Sequence, residues 1–121
     1  MPLVLIVDDS PTEVHVLQQF LEKNGFETAA ADNGGDGIAK ALELKPDLVL
    51  MDVVMPGTNG FQATRELSKN PETAGIPVVM VTTKDQETDR IWGMRQGAVD
   101  YLTKPVTESV LVEKVRAVLG A

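Results

Sequence analysis

Leu48-Val49-Leu50-Met51-Asp52-Val53-Val54-Met55-Pro56-Gly57 is an unbroken apolar run of strand length that stops at a carboxylate, with a Met-Pro-Gly turn directly behind it. A strand without polar alternation is covered on both faces, the pattern of a parallel sheet flanked by helices. Asp52 then stands at the carboxyl end of a buried strand. In open α/β sheets that edge is where ligands bind, which makes Asp52 a functional candidate on position alone.

Working outward, Leu3-Val4-Leu5-Ile6-Val7 repeats the pattern and also ends in acid, at Asp8-Asp9. Ser10-Pro11-Thr12-Glu13 reads as a capping box with proline at the first helical position. The helix it opens carries Val14, Leu17, Phe20 and Leu21 on one face and closes at Asn24-Gly25. Residues 26–31 make a shorter, less apolar strand, followed by a turn and helix entry at Asp32-Asn33-Gly34-Gly35. Ile38, Ala41 and Leu42 mark the apolar side of this second helix, which must end before Pro46.

Beyond the central turn, Thr58 and Asn59 are placed to cap a third helix with Phe61, Thr64 and Leu67 on one side, ending at Asn70-Pro71. Gly75-Ile76-Pro77 leads into a wholly apolar strand at residues 78–81, which ends in Thr82-Thr83-Lys84. Asp85 is the expected cap of a fourth helix that contains Ile91, Trp92 and Met94 and closes at Gly97. Residues 99–102 form a short strand that delivers Thr103-Lys104-Pro105 to the same edge. Thr107 caps a last helix with Leu111, Val115, Val118 and Leu119 in register. Five strands thus alternate with five helices, which predicts a doubly wound (βα)5 three-layer α/β sandwich with right-handed crossovers. The order 2-1-3-4-5 is expected, because it puts the three most apolar strands at the centre.

The 121 residues suit one core, so a single domain spanning 1–121 without an output domain is expected. A net charge of -7 argues against general affinity for nucleic acid or anionic lipid. The chain has no cysteine, which excludes disulfides and thiolate metal sites and fits a reducing compartment. No apolar run approaches the roughly 18 to 20 residues that span a bilayer, and no basic region precedes a long hydrophobic core at the N-terminus. A cytoplasmic protein is expected, and nothing calls for an obligate dimer, so a monomer is expected too.

Four strand ends deposit polar groups on one rim: Asp8 and Asp9, Asp52, Thr82 and Lys104. Three carboxylates brought together must either hold a proton or bind a cation. An all-oxygen set favours Mg2+, or Mn2+ in its place. Such an ion would neutralise an incoming phosphoryl group, with Lys104 and the Thr82 hydroxyl on two further phosphate oxygens. Asp52, beside the turn where a ligand enters, is the nucleophile, and the product an aspartyl phosphate. The plainer alternative for Asp8-Asp9 is a complement to the helix dipole, worth about 0.3 to 1 kcal/mol each. Two adjacent acids on the rim that carries Asp52 favour the metal.

Val7-Asp8-Asp9-Ser10, Met51-Asp52-Val53-Val54-Met55-Pro56-Gly57 with Gly60, Val81-Thr82-Thr83 and Tyr101-Leu102-Thr103-Lys104-Pro105 occur in order, each at a predicted strand end. On these segments the whole chain resembles a response-regulator receiver domain, a flavodoxin-like fold. The resemblance implies Asp52 as phosphoacceptor, Asp8 and Asp9 with the Val54 backbone carbonyl as the magnesium site, and Lys104 as phosphate contact. It further implies Thr82 as switch hydroxyl, Tyr101 as switch aromatic and a cis Lys104-Pro105 bond. The implied partners are a histidine kinase, of the chemotaxis type, and a downstream effector at the face of the fourth helix, fifth strand and fifth helix. The implied function is a phosphorelay component of a two-component system that promotes its own phosphorylation without being a turnover enzyme. Residues 9–13, 55–65 and 81–89 are similar to stand-alone regulators of twitching-motility systems acting on type IV pili. Thr83 departs from the usual small residue after the switch hydroxyl.

Other readings meet specific obstacles. An aspartyl-phosphate phosphohydrolase would need a second acid two residues after its nucleophile, where this chain has Val54. A flavodoxin-like cofactor binder would carry its phosphate loop after the first strand, where Asp8-Asp9 would repel a phosphate. A phosphate sink for the kinase stays open beside an effector-binding regulator. His15 reads as a solvated side chain, Trp92 and Met94 as either core or partner-facing, and Gly34-Gly35-Asp36-Gly37 as a helix entry rather than a diguanylate-cyclase signature.

Overall fold

Residues 1–120 are described by a computed structural model. The elements run β1 (Leu3–Val7), α1 (Pro11–Lys23), β2 (Glu27–Ala31), α2 (Gly34–Leu44), β3 (Leu48–Met51), α3 (Gly60–Lys69), β4 (Val78–Thr82), α4 (Glu87–Arg95), β5 (Asp100–Thr103) and α5 (Glu108–Leu119). All strand pairs are parallel and the sheet order is β2-β1-β3-β4-β5. The apolar runs β1, β3 and β4 hold the centre as expected, where both faces are covered.

Side-chain alternation along each strand divides the interior into two layers. Val4 and Ile6 of β1, Leu48 and Leu50 of β3, and Val79 and Val81 of β4 face α1 and α5, meeting Leu17, Leu21, Leu111, Val112 and Val115. Leu5, Val7, Val49, Met51 and Met80 point the other way, toward Ala41, Ala63 and Leu67 of α2 and α3. Fully burying each large aliphatic chain contributes about 1.5 to 3 kcal/mol, so both helix layers are held chiefly by this sheet.

Several element starts differ from the sequence expectation. In α1, Ser10 Oγ accepts the Glu13 N–H at 3.3 Å, but the reciprocal half of the predicted box is absent. The Glu13 carboxylate instead lies 3.9 Å from Lys104 Nζ. Helix α4 is capped at Gln86 and not at Asp85, because Asp89 reaches back to the Gln86 N–H at 3.3 Å while Asp85 stays in an exposed loop. Its apolar residues do not enter the core: Ile91, Trp92 and Met94 are exposed and only Gly93 is buried. Strand β2 begins one residue later than expected and β5 begins at Asp100, leaving Val99 exposed. Lys45 closes α2 in the left-handed region, at φ 48°.

Candidate functional site

The sheet's hydrogen-bond ladder continues past the strand ends and fixes the backbone of the rim. The Asp8 N–H donates to the Ala31 carbonyl at 3.0 Å, the Asp52 N–H to Val7 at 2.9 Å and the Lys104 N–H to Thr82 at 2.8 Å. Each functional side chain therefore leaves a position set by its neighbouring strand. Helix α3 locks the central one: the Gly60 N–H donates to the Val53 carbonyl at 2.9 Å, and a Cβ on Gly60 would overlap the Asp52 carbonyl. Only glycine lets the helix start so close to the acid.

Asp8, Asp9 and Asp52 each offer a carboxylate oxygen, and these oxygens all lie within 4.8 Å of one another. Asp8 and Asp52 are buried and Asp9 is exposed, so the cluster opens to solvent on one side. Asp8 Oδ1 accepts the Ser10 N–H at 2.9 Å, and its Oδ2 accepts Lys104 Nζ at 2.7 Å. Asp52 Oδ1 accepts the N–H groups of Val53 at 2.7 Å and Val54 at 3.4 Å, while Oδ2 lies 3.4 Å from Lys104 Nζ. The Lys104-Pro105 bond is cis, as the resemblance implied.

One ammonium thus faces an excess of carboxylate. Burial pushes the Asp8 carboxyl above its ordinary range, and the hydrogen bond from Lys104 and that from the Ser10 N–H offset it only in part. Burial pulls Lys104 down, but its hydrogen bond to Asp8 and the charges of Asp52, Asp8 and Glu13 outweigh that and hold it above the usual lysine value. The raised lysine reports a rim with surplus negative charge, whereas the raised Asp8 reports chiefly its burial. A cluster of oxygen donors alone, already short of positive charge, is the chemistry that fits a hard divalent cation. Asp8, Asp9 and Asp52 would hold it.

Thr82 is fully buried at the end of β4, and its Oγ1 accepts the Lys84 N–H at 3.4 Å. Among the described residues its hydroxyl makes no hydrogen bond to the side chain of Asp52 or Lys104, so apart from the backbone bond to Lys104 it shares the rim without joining the ion pairs. Tyr101, opposite Met80 in the β4–β5 register, is buried and donates its hydroxyl to the Lys84 carbonyl at 2.7 Å. Burial, with the charges of Asp89, Asp52 and Asp85, pushes its phenol up to about 12. Lys84 joins the two, since its N–H meets Thr82 and its carbonyl meets Tyr101. Val54 lies in the exposed loop, 57% exposed as a residue. His15 is exposed on α1, as expected.

Sequence reasoning missed Glu13, the third acid around Lys104, because its spacing from Ser10 was fully accounted for as a cap. The spacing of Glu13 four residues beyond Asp9, one helical turn back toward the same edge, was the available signal.

Residues 4–116 match the response regulator receiver domain family. Protein PilH of Pseudomonas aeruginosa is 63% identical over 120 residues, covering 99% of both chains. The response regulator PleD of Caulobacter vibrioides is 40% identical over 114 residues, and there the match spans 94% of this chain but 25% of the relative's length. Among solved structures, the Vibrio cholerae chemotaxis protein CheY4 superimposes with a TM-score of 0.92 at 29% identity, covering 98% of each chain. The receiver domain of a Pseudomonas aeruginosa sensor histidine kinase, with a magnesium ion coordinated in its active-site cleft, gives 0.91 at 26% identity, covering 99% of this chain and 98% of that one. No helix of the described residues is long and apolar enough to cross a membrane. With that family model matched over residues 4–116, the chain is a member of the response-regulator receiver family.

Proposed function

We propose that the chain is a single-domain response regulator in which Asp52 accepts a phosphoryl group from a histidine kinase with the help of Mg2+. The observation that carries this reading is the meeting of Asp8, Asp9 and Asp52 within 4.8 Å, with Lys104 bridging Asp8 and Asp52. Backbone N–H groups hold Asp52 Oδ1, which leaves Oδ2, on the lysine side, as the attacking oxygen. Lys104 then binds an oxygen of the transferred group, and Thr82 supplies a hydroxyl to another. Bound at Asp8, Asp9, Asp52 and the Val54 carbonyl, Mg2+ or Mn2+ supplies charge neutralisation at the phosphoryl oxygens.

The added charge of about -1.5 to -2 draws Thr82 inward and repositions Tyr101. It biases the face of α4, β5 and α5, where Ile91, Met94, Val99 and Val110 are exposed and available to an effector. Likeness to protein PilH over nearly its whole length supports a stand-alone regulator of a chemotaxis-type kinase in pilus-based twitching motility. In this reading it is cytoplasmic and monomeric, and is consumed and regenerated in signalling rather than turning over a substrate. Incubation with Mg2+ and acetyl phosphate adds one phosphoryl group to the intact protein and none to Asp52→Asn. Equal labelling of that variant refutes the assignment.

A further inference from the structure

All seven ion pairs among the described residues are made by lysine, and no arginine lies within 4.0 Å of a carboxylate. This is unexpected in a chain with 18 acids and 11 bases. Two of the free arginines, Arg65 of α3 and Arg95 of α4, line one groove of about 460 Å³ together with Lys69 and Trp92. No acidic residue lines it. Lys69 stands one turn from Glu66 on α3, yet the two do not pair.

The floor of the groove is built rather than incidental. Ser68 Oγ lies 2.9 Å from the Thr64 carbonyl and 3.0 Å from the Gln96 carbonyl, tying α3 to the end of α4. Gly97, at φ +112°, leaves the room that Ser68 occupies. Gln96 is only 8% exposed, its side-chain amide makes no hydrogen bond among the described residues, and it lines the groove. The Trp92 indole, 48% exposed, covers the α4 wall. Complementing helix C-terminal dipoles accounts for Lys69 and Arg95, which stand in last turns. It does not account for Arg65, the indole or the amide.

The chemistry of the occupant follows from charge and from the helix ends. Three unpaired cations call for an anion. Both helices present their C-terminal halves here, so no cradle of backbone N–H groups, the usual phosphate device, is on offer. The cations instead stand on both walls at the ends of long flexible stems, which suits carboxylates spaced along a chain. We propose that the α3–α4 groove docks an acidic segment of a partner protein, whether or not Asp52 is phosphorylated. Independence from phosphorylation follows from the topology: helices in this sandwich return toward the amino edge of the sheet, so their C-terminal ends lie opposite the rim that carries Asp52.

The only tryptophan of the chain is Trp92, so its emission reports occupancy directly. Titrating the full chain with end-blocked octaglutamate gives a saturable change in that emission, the same before and after incubation with Mg2+ and acetyl phosphate and the same in Asp52→Asn. The double variant R65A/R95A, both positions exposed and expected to keep the wild-type circular dichroism, weakens the affinity at least about tenfold. No saturable change, equal affinity in the double variant, or dependence on Asp52 overturns the proposal. So does inorganic phosphate saturating the same signal at the same concentration, which would assign the groove to a phosphate group.

Discussion

Replacing Lys104 by methionine keeps the aliphatic stem and removes the one positive charge in the rim. The ammonium is 2.7 Å from Asp8 and 3.4 Å from Asp52, with all three side chains no more than 10% exposed, and 3.9 Å from the more exposed Glu13. Removing one partner of a buried pair leaves an uncompensated charge and costs about 3 to 5 kcal/mol. Asp9 opens the cluster to water, so the lower end applies, about 3 kcal/mol without metal. For a domain of this size that is a fall in Tm of about 9 to 15 °C. The same change removes a cation that repels Mg2+, so the variant binds the ion more tightly and recovers more stability from it. Circular-dichroism melts of both proteins, in chelator and in excess Mg2+, measure the two effects. A loss below about 1 kcal/mol in chelator, or equal Mg2+ increments in the two proteins, would refute the picture of an acid cluster short of positive charge.

Two glycine substitutions should act in opposite directions. Gly60→Ala drives a methyl into the Asp52 carbonyl and costs about 3 kcal/mol or more by denaturant unfolding. Gly35→Ala meets nothing nearer than Asn33 Oδ1 at 3.5 Å and raises stability by up to about 1 kcal/mol through helix propensity. The only tyrosine, Tyr101, makes a pH prediction possible. Because its folded pKa is raised from 10.0 to about 12, the unfolded chain releases the proton first. Its contribution to stability is intact below pH 10 and is lost as pH rises toward 12. Absorbance near 295 nm should show a phenol titrating near pH 12 in the folded protein, and a midpoint near 10 would contradict the buried environment.

The site was readable because each of its residues ends a strand. Asp8, Asp52, Thr82 and Lys104 follow apolar runs or a short strand, and parallel alternation sends all those ends to one edge. Glu13 was not readable, because the same residue satisfies a capping pattern that the folded chain uses only in half. Helix α4 was ambiguous in another way: Trp92 and Met94 read equally as core or as partner-facing, and the structure leaves Ile91, Trp92 and Met94 exposed, because the core contact of that helix is Gly93.

By itself the sequence determined the alternation of elements, the central place of β1, β3 and β4, and the identity of the acids on the carboxyl edge. These follow from local periodicity and strand hydrophobicity, which operate over a few residues. Only the tertiary structure decided which oxygens of Asp8 and Asp52 meet Lys104, that Thr82 stands apart from the ion pairs, and that Arg65, Trp92, Arg95 and Gln96 share one groove. Those relations join residues up to 96 positions apart through side-chain rotamers and helix packing. No periodicity in the chain records them.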